Sequence, residues 1–466
     1  MHSLDNTFDR AMVEIHARIE NLSPQFTKSA SIAIAYSGGL DSAVLLHLAQ
    51  RYAKTNDIRL HAFHIHHGLS PNADQWLEHC RQACIALEVA FDSRQVSLAQ
   101  KDESGTEEAA RNARYAALGA LCTQHDVPLL LAAHHLDDQA ETVLLQLLRG
   151  SGVAGLSGMD IANRAPSMLG SASLIMGRPL LALSRKALEQ YAQEHSIDFV
   201  EDESNSDPRY ARNALRHQVM PALASCFPGF QQRFARTAQH AQATQRLLIE
   251  MAAQDFAACK VGDALDVNLI RQLNPDRADN LLRYWFGSRG MRMPSTAWLL
   301  EMRTQLFEAK LDAQLCVTHP DCHIRRHRDH VYITPRYAEG YFEVEPQNFV
   351  WNGESSIHFP AFHGSLHFDV NESGIAVEWL RARACVIYYR QGGERLKPAA
   401  NRPTKSLKYH YQAMDIPAWE REQLPIVSSG GKLLFAAGLG MDCTQVGQGG
   451  DDSADRISIR WQADSS

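Results

Sequence analysis

The chain of 466 residues is long enough for two or three domains, and its net charge of −7 argues against a protein that binds polyanions over its whole surface. No apolar run approaches the length of a membrane-spanning helix and the N-terminus lacks a secretory signal, so we expect a cytoplasmic protein with no membrane partner. The nine cysteines are irregularly spaced and include no CxxC pair, which argues against a disulfide framework and against metal ligation by paired cysteines.

The first 200 residues alternate strand and helix patterns. Short β-branched runs predict strands at Ile32–Tyr36, Leu60–Ile65, Arg94–Leu98, Leu129–Ala133 and Leu174–Met176. Apolar residues at i, i+3 and i+4 predict helices at Leu40–Tyr52, Ala73–Glu88, Thr106–His125 and Asp138–Arg149. This order predicts an α/β fold with a doubly wound, mostly parallel sheet. Ligands of such sheets bind beyond the carboxyl ends of the strands, where the strand order reverses.

The pattern changes twice after this region. Helical sequence follows at 231–251, 277–285 and 296–310, and we predict no strands between these helices. After Leu315, short alternating runs broken by Gly, Pro and Asn predict an α+β region. The chain is therefore predicted to contain an α/β domain at 1–217, a helical middle domain at 218–345 and a small α+β domain at 346–466.

The segment after the first predicted strand has the composition of an anion-binding loop. It consists of Ser37, Gly38, Gly39, Leu40, Asp41 and Ser42. The glycines let backbone N–H groups approach an oxyanion, the following helix N-terminus favours negative charge, and the serine hydroxyls add donors. Asp41 would repel a phosphate unless a divalent cation lay between them, so we predict Mg²⁺ at Asp41.

The letters SGGLDS fit neither the Walker A motif nor the dinucleotide-binding motif. Between a strand and a helix, they resemble the PP-loop of the N-type ATP pyrophosphatases, enzymes that cleave ATP to AMP and pyrophosphate. The resemblance implies that residues 37–42 bind ATP. It leaves the second substrate open.

The fourth predicted strand leads into a group of histidines and acids. His134 and His135 stand at the strand end, and Asp137 and Asp138 begin the next helix, with Glu141 on the same helix face. Such a group could hold a cation, bind an ammonium group or accept a proton from an amine. An alternative is that the acids only cap the helix. The segment resembles the AHHxDDQAET motif of the tRNA(Ile)-lysidine synthetase family.

The second predicted strand ends in FHIHHGL, residues 63–69, which is similar to the HVxHGL motif of the same family. His64 and His67 occupy the matching positions, while Ser70 replaces the family's usual Arg. The four histidines between 61 and 67 lack the neighbouring cysteines and the HExxH spacing of zinc sites. We therefore expect His67 to contact the substrate or the nucleotide, and we assign it to the ATP-binding residues.

Two arginine-containing segments extend the resemblance. Residues 105–118, with Arg111 and Arg114, resemble the family's ExxxRxxRY segment, and residues 202–223, with Arg212 and Arg216, resemble its RNxIRxxxxP segment. Guanidinium groups bind oxyanions bidentately. We expect Arg111, Arg114 and Arg212 to face the phosphates of ATP or tRNA, and Arg216 to contact a substrate. For the first segment, surface i, i+4 pairs are the alternative.

Basic residues are concentrated in two blocks. Residues 208–249 contain six arginines and no acid, and residues 381–408 contain eight Lys or Arg and one acid. Such blocks on an acidic protein predict localised anion-contacting faces, with ordinary solvated helix faces as the alternative. Residues 389–440 resemble the C-terminal domain of the same family. We expect five of its cations to contact tRNA: Arg395, Lys397, Arg402, Lys405 and Lys408.

The resemblance identifies the chain as a member of the tRNA(Ile)-lysidine synthetase family. It implies a ligase that forms a carbon–nitrogen bond between L-lysine and the wobble cytidine in the CAU anticodon of an isoleucine tRNA. ATP with Mg²⁺ would adenylate the cytidine, and the amine of lysine, bound by Glu141, would displace AMP. The implied catalytic residues are Asp41, Arg111, His134, Asp137, Asp138 and Arg212. The middle and C-terminal domains would contact the tRNA, and a homodimer is left open.

Two other functions fit part of the pattern. A PP-loop tRNA cytidine thiolase shares the adenylation step, but it needs sulfur delivery, and the chain has no CxxC pair. A non-catalytic RNA-binding or nucleotide-binding protein would not need Asp41 or the acids between 137 and 141.

Overall fold

The structure is a computed structural model that describes residues 4–22, 31–66, 68, 72–96, 106–201, 211–309, 315–337, 343–446 and 455–464. The chain divides into two compact units, Met1–Met251 and Ala252–Ser466. Across the described residues, no helix is long and apolar enough to cross a membrane.

The first unit alternates strands and helices. Its strands are β1 (Ser31–Ala35), β2 (Arg59–His66), β3 (Ala90–Gln95), β4 (Leu129–Leu131), β5 (Ala162–Arg164) and β6 (Ile175–Gly177). The helices before β4 are α1 (Leu4–Leu22), α2 (Leu40–Asn56), α3 (Ala73–Ala86) and α4 (Thr106–Gln124). The later helices are α5 (Leu136–Leu148), α6 (Val153–Leu156), α7 (Pro166–Leu169), α8 (Arg185–Glu194), α9 (Ala211–Ala214), α10 (Met220–Cys226) and α11 (Phe230–Cys259), with a π-helical turn at Leu215–Val219. Helix α11 continues into the second unit.

The strands of the first unit form one sheet in the order β3–β2–β1–β4–β6–β5. All neighbouring pairs are parallel except β5 and β6, so the predicted doubly wound, mostly parallel sheet is confirmed. The chain winds outward from β1 through β2 to β3 and then returns to place β4 on the other side of β1. The strand order therefore reverses between β1 and β4, which makes their carboxyl ends the expected ligand site.

Helices cover both faces of this sheet because consecutive strand residues point to opposite faces. Ile32 and Ile34 are fully buried in a core with residues of α1, α2 and α8. Ala33 between them is buried in a second core with residues of α4 and α7. Two separate apolar cores thus fix the sheet and the loops at its carboxyl edge.

Most predicted elements agree with the observed ones, and β3 differs the most. The predicted strand Arg94–Leu98 begins too late, because the observed strand starts at Ala90, which pairs with His61. This edge strand is only half-buried, so it lacks the continuous apolar run that locates inner strands. Residues 97 and 98 of the prediction lie outside the described residues.

The second unit contains antiparallel sheets. One sheet has the order β7–β8–β11–β10–β9, made from Lys260–Val261, Ala264–Asp266, His330–Pro335, Cys322–His327 and Cys316–Thr318. Its helices are α12 (Val267–Gln272), α13 (Pro275–Ser288) and α14 (Thr296–Glu308). The predicted helical region is confirmed, but the prediction that no strands separate its helices is wrong, since β7 and β8 lie between α11 and α12. These two strands have two and three residues, too short for a period of two to be recognised.

The remaining part of the second unit is α+β, as predicted. Its longer strands are β12 (Gln347–Val350), β13 (Ser356–Phe359), β14 (Gly364–Ala376), β15 (Ala384–Tyr389), β18 (Pro425–Ser429), β19 (Lys432–Ala436) and β21 (Arg456–Ala463). Its short elements are α15 (Val377–Arg381), β16 (Arg395–Leu396), β17 (Lys405–Ser406), α16 (Leu407–Ala413), α17 (Ala418–Arg421), β20 (Gly440–Met441), α18 (Cys443–Val446) and a 3₁₀ turn at Pro360–Phe362. Sheets form in the orders β12–β15–β18–β19–β20 and β13–β14–β21, and β16 and β17 form a separate hairpin.

Candidate active site

The glycine loop between β1 and α2 is held by the hydroxyl of Ser42. This hydroxyl donates to the Gly39 carbonyl at 2.9 Å, accepts from the Ser37 backbone N–H at 3.2 Å and lies 3.1 Å from the Ser37 hydroxyl. The serine hydroxyls, predicted as ligand donors, here bond to the loop itself. The backbone N–H groups of the first turn of α2, which begins at Leu40, are the donors that remain for an anion.

Gly38 allows the close packing of this loop. Its φ of +87° lies in the left-handed region that favours glycine, and a Cβ there would stand 2.8 Å from Cys80 Sγ and 3.2 Å from Val200 Cγ2. Gly39, by contrast, has an extended φ of −74° and no atom closer than 3.7 Å to an added Cβ. Thus Gly38 has no room for a side chain, whereas Gly39 has.

Asp41 faces the start of α5. Its Oδ2 lies 3.6 Å from His135 Nε2 and accepts from Arg185 Nη1 at 3.5 Å. Its Oδ1 is buried and has no hydrogen-bond partner among the described residues. These residues contain no group of three His, Cys, Asp or Glu that could hold a metal. With its unpartnered Oδ1, Asp41 is the residue of the loop that could hold a cation such as Mg²⁺.

His135 and Asp138 cap the N-terminus of α5. The Asp138 backbone N–H donates to His135 Nδ1 at 3.4 Å, and the His135 backbone N–H donates to Asp138 Oδ2 at 3.0 Å. Burial alone would lower the pKa of His135, but the Asp41 and Asp138 carboxylates raise it above its ordinary value. The cap holds the acids of α5 beside the glycine loop.

Asp138 and Glu141 form a buried ion-pair network with two arginines. Arg212 donates to Glu141 Oε2 at 2.8 Å and to Asp138 Oδ1 at 3.1 Å. Arg216 donates to Glu141 Oε1 at 2.7 Å, to Glu141 Oε2 at 2.9 Å and to Asp138 Oδ1 at 3.1 Å. The Glu141 side chain is only 2% exposed, so its charge is neutralised inside the protein.

Asp137 has a different environment from its neighbour. It accepts from the Arg185 backbone N–H at 2.8 Å and from Gln231 Nε2 at 3.3 Å, both of which are neutral groups. Its side chain is 27% exposed, whereas that of Asp138 is 12% exposed. Asp137 is thus the more accessible carboxylate at the start of α5.

His134 lies at the end of β4 and is neutral at ordinary pH. Burial lowers its pKa to about 3, although Asp138 acts in the opposite direction. Its Nδ1 is buried with no hydrogen-bond partner in the described part of the chain.

Arg111 and Arg114 both lie over the Tyr115 ring on α4, at 5.1 and 5.3 Å from its centre.

Arg178 and Arg185 were not predicted as site residues. Arg178 directly follows β6, is 6% exposed and donates to the Asp160 carbonyl at 2.7 Å and to Asn163 Oδ1 at 2.6 Å. Burial lowers its pKa. A basic residue immediately after a buried strand is the sequence signal that could have identified it.

The FHIHHGL segment is described only in part, because His67 lies outside the described residues. His64 Nδ1 donates to the Tyr36 carbonyl at 3.0 Å, and His66 Nε2 lies 3.0 Å from Asp74 Oδ1. Burial lowers the pKa of His64. His64 therefore supports the backbone just before the glycine loop.

The five predicted tRNA-contacting cations lie on or next to the β16–β17 hairpin and α16 of the second unit. None of them forms an ion pair with another described residue. The single acid of this segment, Glu394, accepts from the backbone N–H groups of Gln391 at 2.7 Å and Gly392 at 3.0 Å. These cations therefore lie close together along the chain, and the hairpin register pairs Arg395 with Ser406 and Lys405 with Leu396.

Family models cover both units. A model described as PP-loop domain matches residues 11–223. A model described as TilS substrate binding domain matches residues 265–332, and one described as TilS substrate C-terminal domain matches residues 385–461.

Relatives that match nearly the whole chain agree with the family models. The chain is 40% identical to the tRNA(Ile)-lysidine synthase of Burkholderia pseudomallei (strain K96243), with 93% of each chain covered. It is 40% identical to that of Ralstonia nicotianae, with 90% of this chain and 91% of the relative covered, and 35% identical to that of Coxiella burnetii, with 88% and 89% covered. With the PP-loop domain at one end, the TilS domains at the other and this similarity throughout, the chain belongs to the tRNA(Ile)-lysidine synthase family.

Proposed function

We propose that this protein forms lysidine by ligating L-lysine to the wobble cytidine in the CAU anticodon of an isoleucine tRNA, with release of AMP and pyrophosphate. The observation that carries the proposal is the position of the glycine loop after β1 beside the carboxylates of α5, where the strand order reverses. The loop suits the phosphates of ATP, and the carboxylates suit an ammonium group. The shared name of the relatives supports the same substrates.

In the first step, the 2-carbonyl oxygen of the cytidine attacks the α-phosphorus of ATP, and the bond to pyrophosphate breaks. Backbone N–H groups at the start of α2 bind the phosphates. Asp41 is the residue that would hold Mg²⁺, which supplies positive charge to the phosphates when bound. Arg111 and Arg114 on α4 are proposed to face the same charge, and His67 the nucleotide.

In the second step, the ε-amine of lysine attacks C2 of the adenylated base, and AMP leaves with the former carbonyl oxygen. The amine must lose its proton to become a nucleophile. Asp137 is proposed as the proton acceptor, because it is more exposed than Asp138 and, unlike Asp138, accepts no hydrogen bond from a guanidinium group of a described residue. The nearby His135 Nδ1 lies 3.7 Å from Asp137 Oδ2. His134, neutral at ordinary pH, is proposed to contact the cytidine through its unpartnered Nδ1.

Glu141 is proposed to bind the lysine ammonium, which has a consequence for Arg212 and Arg216. Both oxygens of Glu141 accept from these arginines. A lysine ammonium can take this position only if one guanidinium turns away, and a phosphate is the partner that would attract it. The arginines and the carboxylates are therefore proposed to exchange partners when the substrates bind.

The tRNA is proposed to extend over the basic hairpin of the second unit. Contacts from cations to phosphates fix position and depend on salt but carry little sequence information. The division into a catalytic domain at 1–217, a middle tRNA-contacting domain at 218–345 and a C-terminal domain at 346–466 stays a prediction, and so does a homodimer.

The test uses purified protein, Mg-ATP, radiolabelled lysine and an isoleucine tRNA transcript with a CAU anticodon. We expect ATP-dependent label that remains on the RNA after mild alkaline deacylation, with no label on initiator methionine tRNA. AMP release without lysine incorporation would favour the thiolase, and no AMP release would leave only a binding function. Asp137→Asn is expected to reduce lysine incorporation more than AMP release, with Asp138→Asn as the comparison variant.

A further inference from the structure

Helix α16 carries an aromatic ring that lies outside the apolar core. Leu407 and Tyr411 are 1% and 0% exposed and pack into a small core with Leu396. Tyr409 lies between them in sequence, so it projects from another side of the helix, and it is 53% exposed. A single exposed ring is common on protein surfaces, so the groups around Tyr409 decide whether it is a candidate for contact with a partner.

The surroundings of Tyr409 define the chemistry of that partner. Lys405 Nζ lies 5.3 Å from the ring centre, and Lys408 is exposed next to it in the sequence. Arg395 and Arg402 are exposed on or near the same hairpin and have no ion-pair partner within the described ranges, and Arg395 Nη2 donates to the Thr404 carbonyl at 2.9 Å. Glu394, the acid of this segment, is engaged by backbone N–H groups. One cation, Lys405, thus contacts the ring, and further exposed cations lie on the same hairpin and helix.

We propose that Tyr409 is a stacking platform for an unpaired base of the tRNA, with the surrounding cations binding the adjacent phosphates. An exposed aromatic ring among cations is the arrangement that binds unpaired nucleotides, because every base has a face that can stack. Inside an RNA duplex, both faces of every base are covered by the neighbouring pairs, so the body of a duplex would be bound by the cations alone. The inference deepens the proposed function, since it rests on tRNA being the substrate.

The test measures binding of the full-length protein to the isoleucine tRNA transcript over a range of salt concentrations. Tyr409→Ala is expected to weaken binding about tenfold without changing the slope of log K against log salt, because stacking releases no counterions. Tyr409→Phe keeps the ring and is expected to remain within about twofold of the wild type. Lys408→Ala is the matched control and is expected to reduce the slope by about one. Tyr409 is exposed, so thermal melting should be unchanged in its variants.

Short RNAs separate stacking from other roles. The Tyr409→Ala effect is expected on a single-stranded octanucleotide and not on a blunt RNA duplex. A tRNA without its single-stranded 3′ end distinguishes two sources of the base: loss of the effect assigns the base to the 3′ end, persistence assigns it to a loop, and either supports stacking.

An equal effect on the duplex, an equal loss in Tyr409→Phe, or tRNA binding by Tyr409→Ala within twofold of the wild type would overturn the proposal. If lysine is incorporated but Tyr409→Ala has no effect, this inference alone fails. If the ring matters for RNA binding but no lysine is incorporated, the proposed reaction fails instead.

Discussion

The buried network on α5 predicts a measurable loss of local stability in Arg216→Met. Arg216 makes three charge-assisted hydrogen bonds, two to Glu141 and one to Asp138. Removing one partner of a buried pair costs about 3–5 kcal/mol. Arg212 still neutralises Glu141, and the Arg216 side chain is 29% exposed, so water can partly replace it. We therefore expect about 2–3 kcal/mol, a roughly 30- to 150-fold rise in local opening.

Amide hydrogen exchange of peptides from α5 in the full-length protein measures this opening. Glu141→Gln and the double variant complete a cycle, and we expect a coupling of about 1 kcal/mol or more, because the two side chains are in direct contact. Arg185→Met is the control: this arginine is 44% exposed and pairs with Asp41 at 3.5 Å, so its loss should cost less than about 1 kcal/mol. Unchanged α5 exchange in Arg216→Met with additive effects in the cycle would refute the reasoning.

Three further predictions concern the loop and the end of β4. Gly38→Ala should cost about 1–3 kcal/mol of stability and weaken ATP binding, because the new Cβ meets Cys80 Sγ at a residue with a positive φ. Gly39→Ala is the control and should unfold in urea like the wild type. Equal unfolding of the two variants in urea would contradict this prediction. His134 has a pKa of about 3 in the folded state and about 6.5 when unfolded. As the pH falls from about 6.5 to 3, only the unfolded state of the wild type takes up this proton, which lowers the free energy of unfolding by up to ~1.4 kcal/mol per pH unit. His134→Asn lacks this proton, so its free energy of unfolding should fall less steeply over the same range. Parallel pH profiles of the two proteins would count against a buried neutral histidine. Asp41→Asn should reduce AMP release at least about 100-fold while tRNA binding is retained, and normal AMP release would exclude Asp41 as the metal-holding residue.

The central sheet could be predicted because its inner strands are marked by short continuous apolar runs in the sequence. The inner strands β1 and β4 are continuous buried runs, and the loop between β1 and α2 follows directly from its glycines and Asp41. The edge strand β3 and the short strands β7 and β8 carry weaker patterns and were misplaced or not predicted.

The partners of the site residues were much harder to predict than the residues themselves. Glu141 and Arg216 lie 75 positions apart in the sequence, and no local pattern indicates that they pair. Their side chains were expected to meet lysine and a substrate, while the structure pairs them with each other. The position of Arg178 directly after a buried strand is visible in the sequence, but its partners are set by the packing of β5 against β6.

The central chemical claim is that the oxygen on C2 of the cytidine becomes part of AMP. An isoleucine tRNA carrying ¹⁸O at this position of its wobble cytidine, incubated with the protein, Mg-ATP and lysine, tests the claim by mass spectrometry of the released AMP. The account predicts one ¹⁸O atom in AMP for each lysine incorporated into the RNA. Unlabelled AMP, with ¹⁸O retained in the tRNA or released to water, would contradict it.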